Sequence, residues 1–272
     1  DNTQWGTTYQ DVYMKLNGSD LPDVRSLPPQ NCDFSVTNAA GRSATATVDV
    51  AAGNTRPTVD ITGPVEGGFT EFGDTVPYAV EVSDVEDDAA GVDTCAGVVV
   101  KPALGHNDHG HPGEQERGCT GEFTATIDDS HGPEADVFVI VEADYTDRGG
   151  ASGAPALTGT DLITLQPKTK QVEYFEESGR VAGAAGGGDP GVVRETTSDV
   201  AGGFQNLGFI EDGDYVGYSP VNLQGIDGLS VRAASPGAGG LVEVRWDAPD
   251  GPLLGTIDVA GTGDWQRYGD FR

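Results

Sequence analysis

All four histidines of the 272-residue chain lie between positions 106 and 131. Three stand in Gly105-His106-Asn107-Asp108-His109-Gly110-His111-Pro112, and the fourth in Asp129-Ser130-His131-Gly132. Neutral imidazole is a ligand for borderline-soft ions, so His106, His109, His111 and His131, with Asp108 among them, could converge on one zinc or copper ion. Gly105 and Gly110 give the backbone freedom to wrap it. A strand would turn His109 and His111 to one face and His106 to the other, so convergence is expected to require a loop. The competing reading is an exposed polar loop whose histidines bond backbone carbonyls. No nucleophile or base at a recognisable spacing accompanies the cluster, so no catalytic residue is assigned.

Cys95 and Cys119 lie on either side of this stretch. Their spacing fits neither a CxxC pair nor a zinc ribbon, and it suits a disulfide formed in an oxidising compartment. Such a bridge would close and stiffen the segment that carries His106, His109 and His111. Cys32 is left over, with a partner expected upstream of Asp1. The run Asp84-Val85-Glu86-Asp87-Asp88 reads as a solvated acidic turn, with a calcium site between modules as the alternative.

The whole chain is acidic, with 44 Asp and Glu against 15 Lys and Arg and a formal charge of -29. Such a surface repels phosphate backbones and anionic headgroups, which disfavours nucleic acid and membranes as partners and leaves neutral sugars and divalent cations open. There is no apolar run long enough to span a bilayer and no signal-like start, so the chain is read as mature or as part of something larger. With 41 Gly and 16 Pro, short strands and tight turns are expected rather than helices.

These considerations predict an all-β protein of two or three domains. Residues 1 to about 30 carry Trp5, Tyr9 and Tyr13 without a clean period. Phe34 to Thr37 and Ser43 to Val50 alternate with period two around the turn Asn38-Ala39-Ala40-Gly41-Arg42 and predict a hairpin. After the polar linker 51–57, strands are predicted at Pro57 to Ile61, Val76 to Val82, Val98 to Lys101, Phe123 to Ile127, Val137 to Glu142 and Asp161 to Leu165, the spacing of a sandwich. Val137-Phe138-Val139-Ile140-Val141 is apolar on both faces and should be central.

The last hundred residues hold Gln171-Val172-Glu173, then Asn206-Leu207-Gly208-Phe209-Ile210-Glu211-Asp212-Gly213-Asp214-Tyr215, Ala234-Ser235-Pro236, Pro252-Leu253-Leu254-Gly255-Thr256 and Gly263-Asp264-Trp265-Gln266, in that order. This set resembles a family 6 carbohydrate-binding module, a jelly-roll β-sandwich that grips sugars without cleaving them. The hairpin at 34–50 resembles the end of a PKD-type Ig-like domain. Together they imply a partial PKD-like domain over 1–53, an Ig-like domain with the disulfide and the His-rich loop over 54–167, and the sugar module over 168–272, cut short at its carboxyl end. The same arrangement resembles the C-terminal part of large secreted actinobacterial-type proteins with a sugar-dehydrogenase-like propeller upstream; no propeller segment is evident here.

The resemblance implies a cleft walled by Phe209 and Trp265, whose rings would stack on pyranose faces. Glu195, Gln205 and Asn206 would read hydroxyls, while a C-terminal Asn of the family has no counterpart. It also implies a structural calcium held at Glu173 and Gln171. Tyr215 and Tyr218 are read as packing residues. The function expected is that of a secreted, extracellular, non-catalytic protein that attaches an associated enzyme or cell to polysaccharide. The alternative is a structural Ig-like stalk, surface-layer or filament subunit that self-associates through open strand edges.

Overall fold

In the computed structural model, residues 30–37, 43–50, 53–128, 130–131 and 135–272 are described, the first two stretches by their backbone alone. Trp5, Tyr9, Tyr13, the turn at 38–42 and the side chain of Cys32 lie outside the described residues. The chain is all-β, with one short α-helix among the described residues. No helix among them is long and apolar enough to cross a membrane. It divides into two compact units, residues 1–55 with 148–157 and residues 56–147 with 158–272.

In the first unit, β1 (Gln30–Thr37) and β2 (Ser43–Val50) pair antiparallel from Gln30↔Val50 to Thr37↔Ser43, which is the hairpin the alternation predicts. Here too, the Ala151 amide donates to Gly53 O at 3.0 Å and the Asn54 side-chain amide to Pro155 O at 2.9 Å.

The second unit opens with β3 (Thr58–Gly63), β4 (Phe69–Thr70), β5 (Thr75–Ser83), β6 (Val99–His106), β7 (His109–Pro112), β8 (Glu116–Arg117), β9 (Thr120–Thr124), β10 (Val137–Thr146) and β11 (Thr158–Pro167). One sheet has the order β3-β5-β9, and the other β4-β11-β10-β6-β7 with β8 beside β6. β10 therefore has a neighbour on each side, as its two-faced apolar run predicts. Val59, Tyr78, Val80 and Phe123 from the smaller sheet and Val100, Val139, Val141, Ile163 and Leu165 from the larger form one buried core. That is a β-sandwich. β9 lies nearer the N-terminus than expected: beyond Ala125, which is buried and still bonds to Gly73 and Asp74 through its backbone, the chain crosses toward β10, and Ile127 is exposed.

The acidic run forms α1 (Val85–Ala89) rather than a solvated turn. Asp84 caps it by accepting from the amides of Glu86 and Asp87, and both Asp84 and Asp87 are buried. The disulfide Cys95–Cys119 is formed, with α-carbons 4.9 Å apart.

Beyond β11 come β12 (Glu177–Arg180), β13 (Val193–Thr196), β14 (Gln205–Gly208), β15 (Asp214–Gly217), β16 (Val231–Ala233), β17 (Gly239–Arg245), β18 (Leu253–Ala260) and β19 (Gly269–Phe271). They pair as β12-β15, β13-β14, β16-β19 and β17-β18. Ile257 and Val259 of β18 are its buried apolar side chains. This part is stitched to the sandwich through backbone: Asn222 N–H donates to Gly67 O at 2.8 Å, and the Gln166 side chain donates to Pro220 O at 3.1 Å. Gly67 has φ +70, and a Cβ there would lie 2.8 Å from Pro220 C and Val221 N, so only glycine allows this approach.

Candidate functional site

The β13-β14 hairpin sets Glu195 directly opposite Asn206 and Val193 opposite Gly208. By strand alternation Glu195, Asn206 and Gly208 share one face, and Gln205 lies on the other. The Glu195 carboxylate reaches diagonally over Gly208, next to the residue that follows the strand. That residue, Phe209, is 71% exposed and has φ +57. A bulky residue in the left-handed region is strained by about 1–3 kcal/mol and persists only where its surroundings impose it.

The surroundings that impose it are in the turn that follows. Asp214 Oδ2 accepts from the Glu211 amide at 2.9 Å, and Asp214 takes two bonds from Arg180, at 2.8 and 3.1 Å. Its side chain is sealed from solvent, and the hydrogen bonds from Arg180 hold its carboxyl below the ordinary value. Glu211 in turn accepts from the amides of Gly187 and Gly188. The segment presenting Phe209 and Ile210 is thus fastened from both sides.

Trp265 is 69% exposed in the turn before β19. Its neighbour Gln266 fixes that turn: Oε1 accepts from Thr197 Oγ1 at 2.8 Å and from Ser198 N and Oγ at 2.9 and 2.8 Å. Thr197 and Ser198 lie just beyond Glu195, so the Trp265 turn is tied to the loop end of the hairpin. Phe209 leaves its open end, with Glu195 between. The sequence reading missed Phe204, 48% exposed at φ +65 within that hairpin loop. Arg180 and Asp214 were missed as well. Tyr218 donates to Val172 O at 2.7 Å, and burial pushes its hydroxyl up, as befits a packing residue.

Glu173 is 1% exposed, and neither carboxylate oxygen has a hydrogen-bond partner. Burial raises its pKa, opposed first by its own backbone amide and then by Arg194, with Asp136 adding to the rise. A buried carboxylate whose oxygens lack a well-formed hydrogen bond is a fitting ligand for a hard cation. Gln171, half-buried two residues before it, accepts the Tyr174 amide through its carbonyl at 3.3 Å.

Three of the four histidines lie on the edge hairpin β6-β7. Asn107 at φ +52 and Asp108 reverse the chain, so His106 pairs directly with His109 and Leu104 with His111. This corrects the expectation that strands would scatter the imidazoles. A reversal through two residues places His106 across from His109 on the face that also carries His111. Their ligand nitrogens all lie within 4.8 Å of one another. His131, from the crossover between β9 and β10, brings its ring centroid to 4.3 Å from that of His106 and 5.5 Å from that of His111. Asp128 Oδ1 is 2.9 Å from His131 Nδ1, and Asp108 Oδ1 is 3.3 Å from His109 Nδ1.

Comparison with known proteins places the hairpin, Phe209 and Trp265 in a family context. Residues 184–272 match the family described as "Carbohydrate binding module (family 6)". Gln171 and Glu173 precede the matched residues. Two sequences named endo-1,4-beta-xylanase A, both from Thermoclostridium stercorarium, are 37% identical to the chain over 65 residues, which is 24% of this chain and 12% and 10% of theirs. The chain thus spans about a tenth of the length of these curated relatives. No solved structure matches. A carbohydrate-binding module of family 6 is therefore found at residues 184–272.

Proposed function

We propose that the chain is a secreted, non-catalytic polysaccharide-binding protein that anchors an associated enzyme or cell to its polymer. The observation that carries this reading is the exposure of both Phe209 and Trp265, with Glu195 on the hairpin between their attachment points. Flat rings held open to solvent stack on the C–H faces of pyranoses, while Glu195 and Asn206, and Gln205 from the other strand face, accept from or donate to hydroxyls. The disulfide supports an extracellular setting. PKD-like and Ig-like units over 1–53 and 54–167 serve as spacers, with the sugar module over 168–272. Calcium held by Glu173 and Gln171 would neutralise the buried carboxylate and stiffen the segment packed against Tyr218. Retention during electrophoresis through xylan, β-glucan or agarose-type polymer tests the reading. Retarded migration supports it, and free migration in all three rejects it.

A second reading, a structural stalk, surface-layer or filament subunit, draws on β17-β18. Leu241, Val242, Leu253 and Leu254 are all exposed on this two-stranded ribbon, whose outer edges are unpaired among the described residues. Such edges template pairing with another chain. Concentration-dependent assembly in sedimentation supports this reading, and a strictly monomeric chain removes it.

A further inference from the structure

We infer that His106, His109, His111 and His131 form a closed, structural site for one divalent transition ion of the zinc or copper class. The geometry already has the features of a metal centre. His106 Nε2 and His111 Nε2 stand 2.9 Å apart, and the ring centroids of His106 and His109 are separated by 3.9 Å. Nitrogens bound to one tetrahedral zinc at about 2.0–2.1 Å stand about 3.3–3.4 Å apart, so the His106–His111 pair needs to open by only about half an ångström to admit the ion. Without an ion, one of the two Nε2 atoms of His106 and His111 must carry a proton and donate to the other. With an ion, both lone pairs find a partner.

The outer contacts select the ligand atoms. Asp128 takes the Nδ1 side of His131 and Asp108 that of His109, which leaves Nε2 of each ring for the ion. The Asn107 amide lies 3.2 Å from His106 Nδ1, and its oxygen turned toward the ring would accept that N–H. Asp128 is itself fixed by the amide of Ser130 at 2.8 Å.

Four protein ligands leave no open position for substrate, which makes the site structural rather than catalytic. Its place in the fold indicates what it would secure. Three ligands come from the edge hairpin of the larger sheet. The fourth comes from the crossover that leaves the smaller sheet after β9. The ion would staple hairpin to crossover on the side of the sandwich where the Cys95–Cys119 bridge does not reach.

The test uses the full chain in a Cys32→Ser background, which removes a competing thiolate. Titration with zinc chloride should show one equivalent bound and a higher melting temperature, and cobalt(II) should give the intense visible bands of a tetrahedral site. His111→Gln and His131→Gln should each abolish the cobalt bands. Asp128→Asn, which touches no ion, should weaken zinc about 10–100-fold. The cobalt spectrum of the unsubstituted histidine set needs no variant and covers the case in which a variant misfolds. Absence of stoichiometric binding, or octahedral cobalt bands, overturns the site. Binding indifferent to both His131→Gln and Asp128→Asn also overturns it, because exposed hairpin imidazoles alone would then suffice.

Discussion

The carboxylate of Glu195 stands in the space above the Gly208 α-carbon that any side chain at that position would need. Gly208→Ala should therefore push the acid away from Phe209 without straining the backbone. Sugar affinity is expected to fall about tenfold or more, the worth of one hydrogen bond to a charged group. Glu195→Ala should give the same loss, and the double variant no further one. Isothermal titration with the retained oligosaccharide checks this, and additive losses would show that the two positions act separately.

Trp265→Ala removes a ring that is 69% exposed, so stability should change by no more than about 0.5 kcal/mol. Retention on polysaccharide should nevertheless disappear while far-UV spectra stay unchanged. Gln266→Ala is the informative companion. It leaves the ring and frees its turn from Thr197 and Ser198, so it should weaken binding and leave the melting temperature close to that of the parent.

Phe209→Gly should have opposite effects on stability and function. Glycine adopts φ +57 freely, so thermal unfolding should report a gain of about 1 kcal/mol or more. Sugar binding should be lost. A destabilised variant would mean that the ring packs and does not bind.

Glu173 gives a prediction about pH and calcium together. Burial raises its folded pKa above the unfolded value. A group of that kind contributes stability below its unfolded value and loses it as pH rises through the folded value. In chelator, Glu173→Gln should therefore melt above the parent at neutral pH, and the difference should vanish in acid. Calcium should raise the melting temperature of the parent and leave the variant unmoved. Melting curves in chelator and in calcium chloride at two pH values decide it.

Removing the Cys95–Cys119 bridge by paired serine substitutions should cost about 3 kcal/mol, from the chain entropy of the segment it closes. Denaturant unfolding measures it.

Strands with a strong apolar alternation were legible in the sequence. β10 was placed centrally because Val137 to Val141 is apolar on both faces, and the hairpin at 34–50 followed from its period. The histidine hairpin was misjudged because periodicity treats a chain as straight, and reversal at Asn107-Asp108 turns opposite faces into one. The acid run at 84–88 looked solvated because its charge is visible in the sequence, whereas the Tyr145 hydroxyl that donates to Asp87 at 2.6 Å is not. Arg180 and Asp214 were missed for a related reason. They lie 34 residues apart, and nothing local pairs them. For Phe209 and Trp265 the resemblance supplied the positions, and the structure supplied their exposure, the backbone strain at Phe209 and the anchoring through Gln266.

Gly67 has a mechanical consequence. Where it meets Pro220 and Val221, main chain abuts main chain with no side chain in between, a contact that would couple the carbohydrate-binding module to the disulfide-braced sandwich. A pull on a captured polymer would load these short backbone bonds directly, and the grip would keep its aim under drag instead of swivelling.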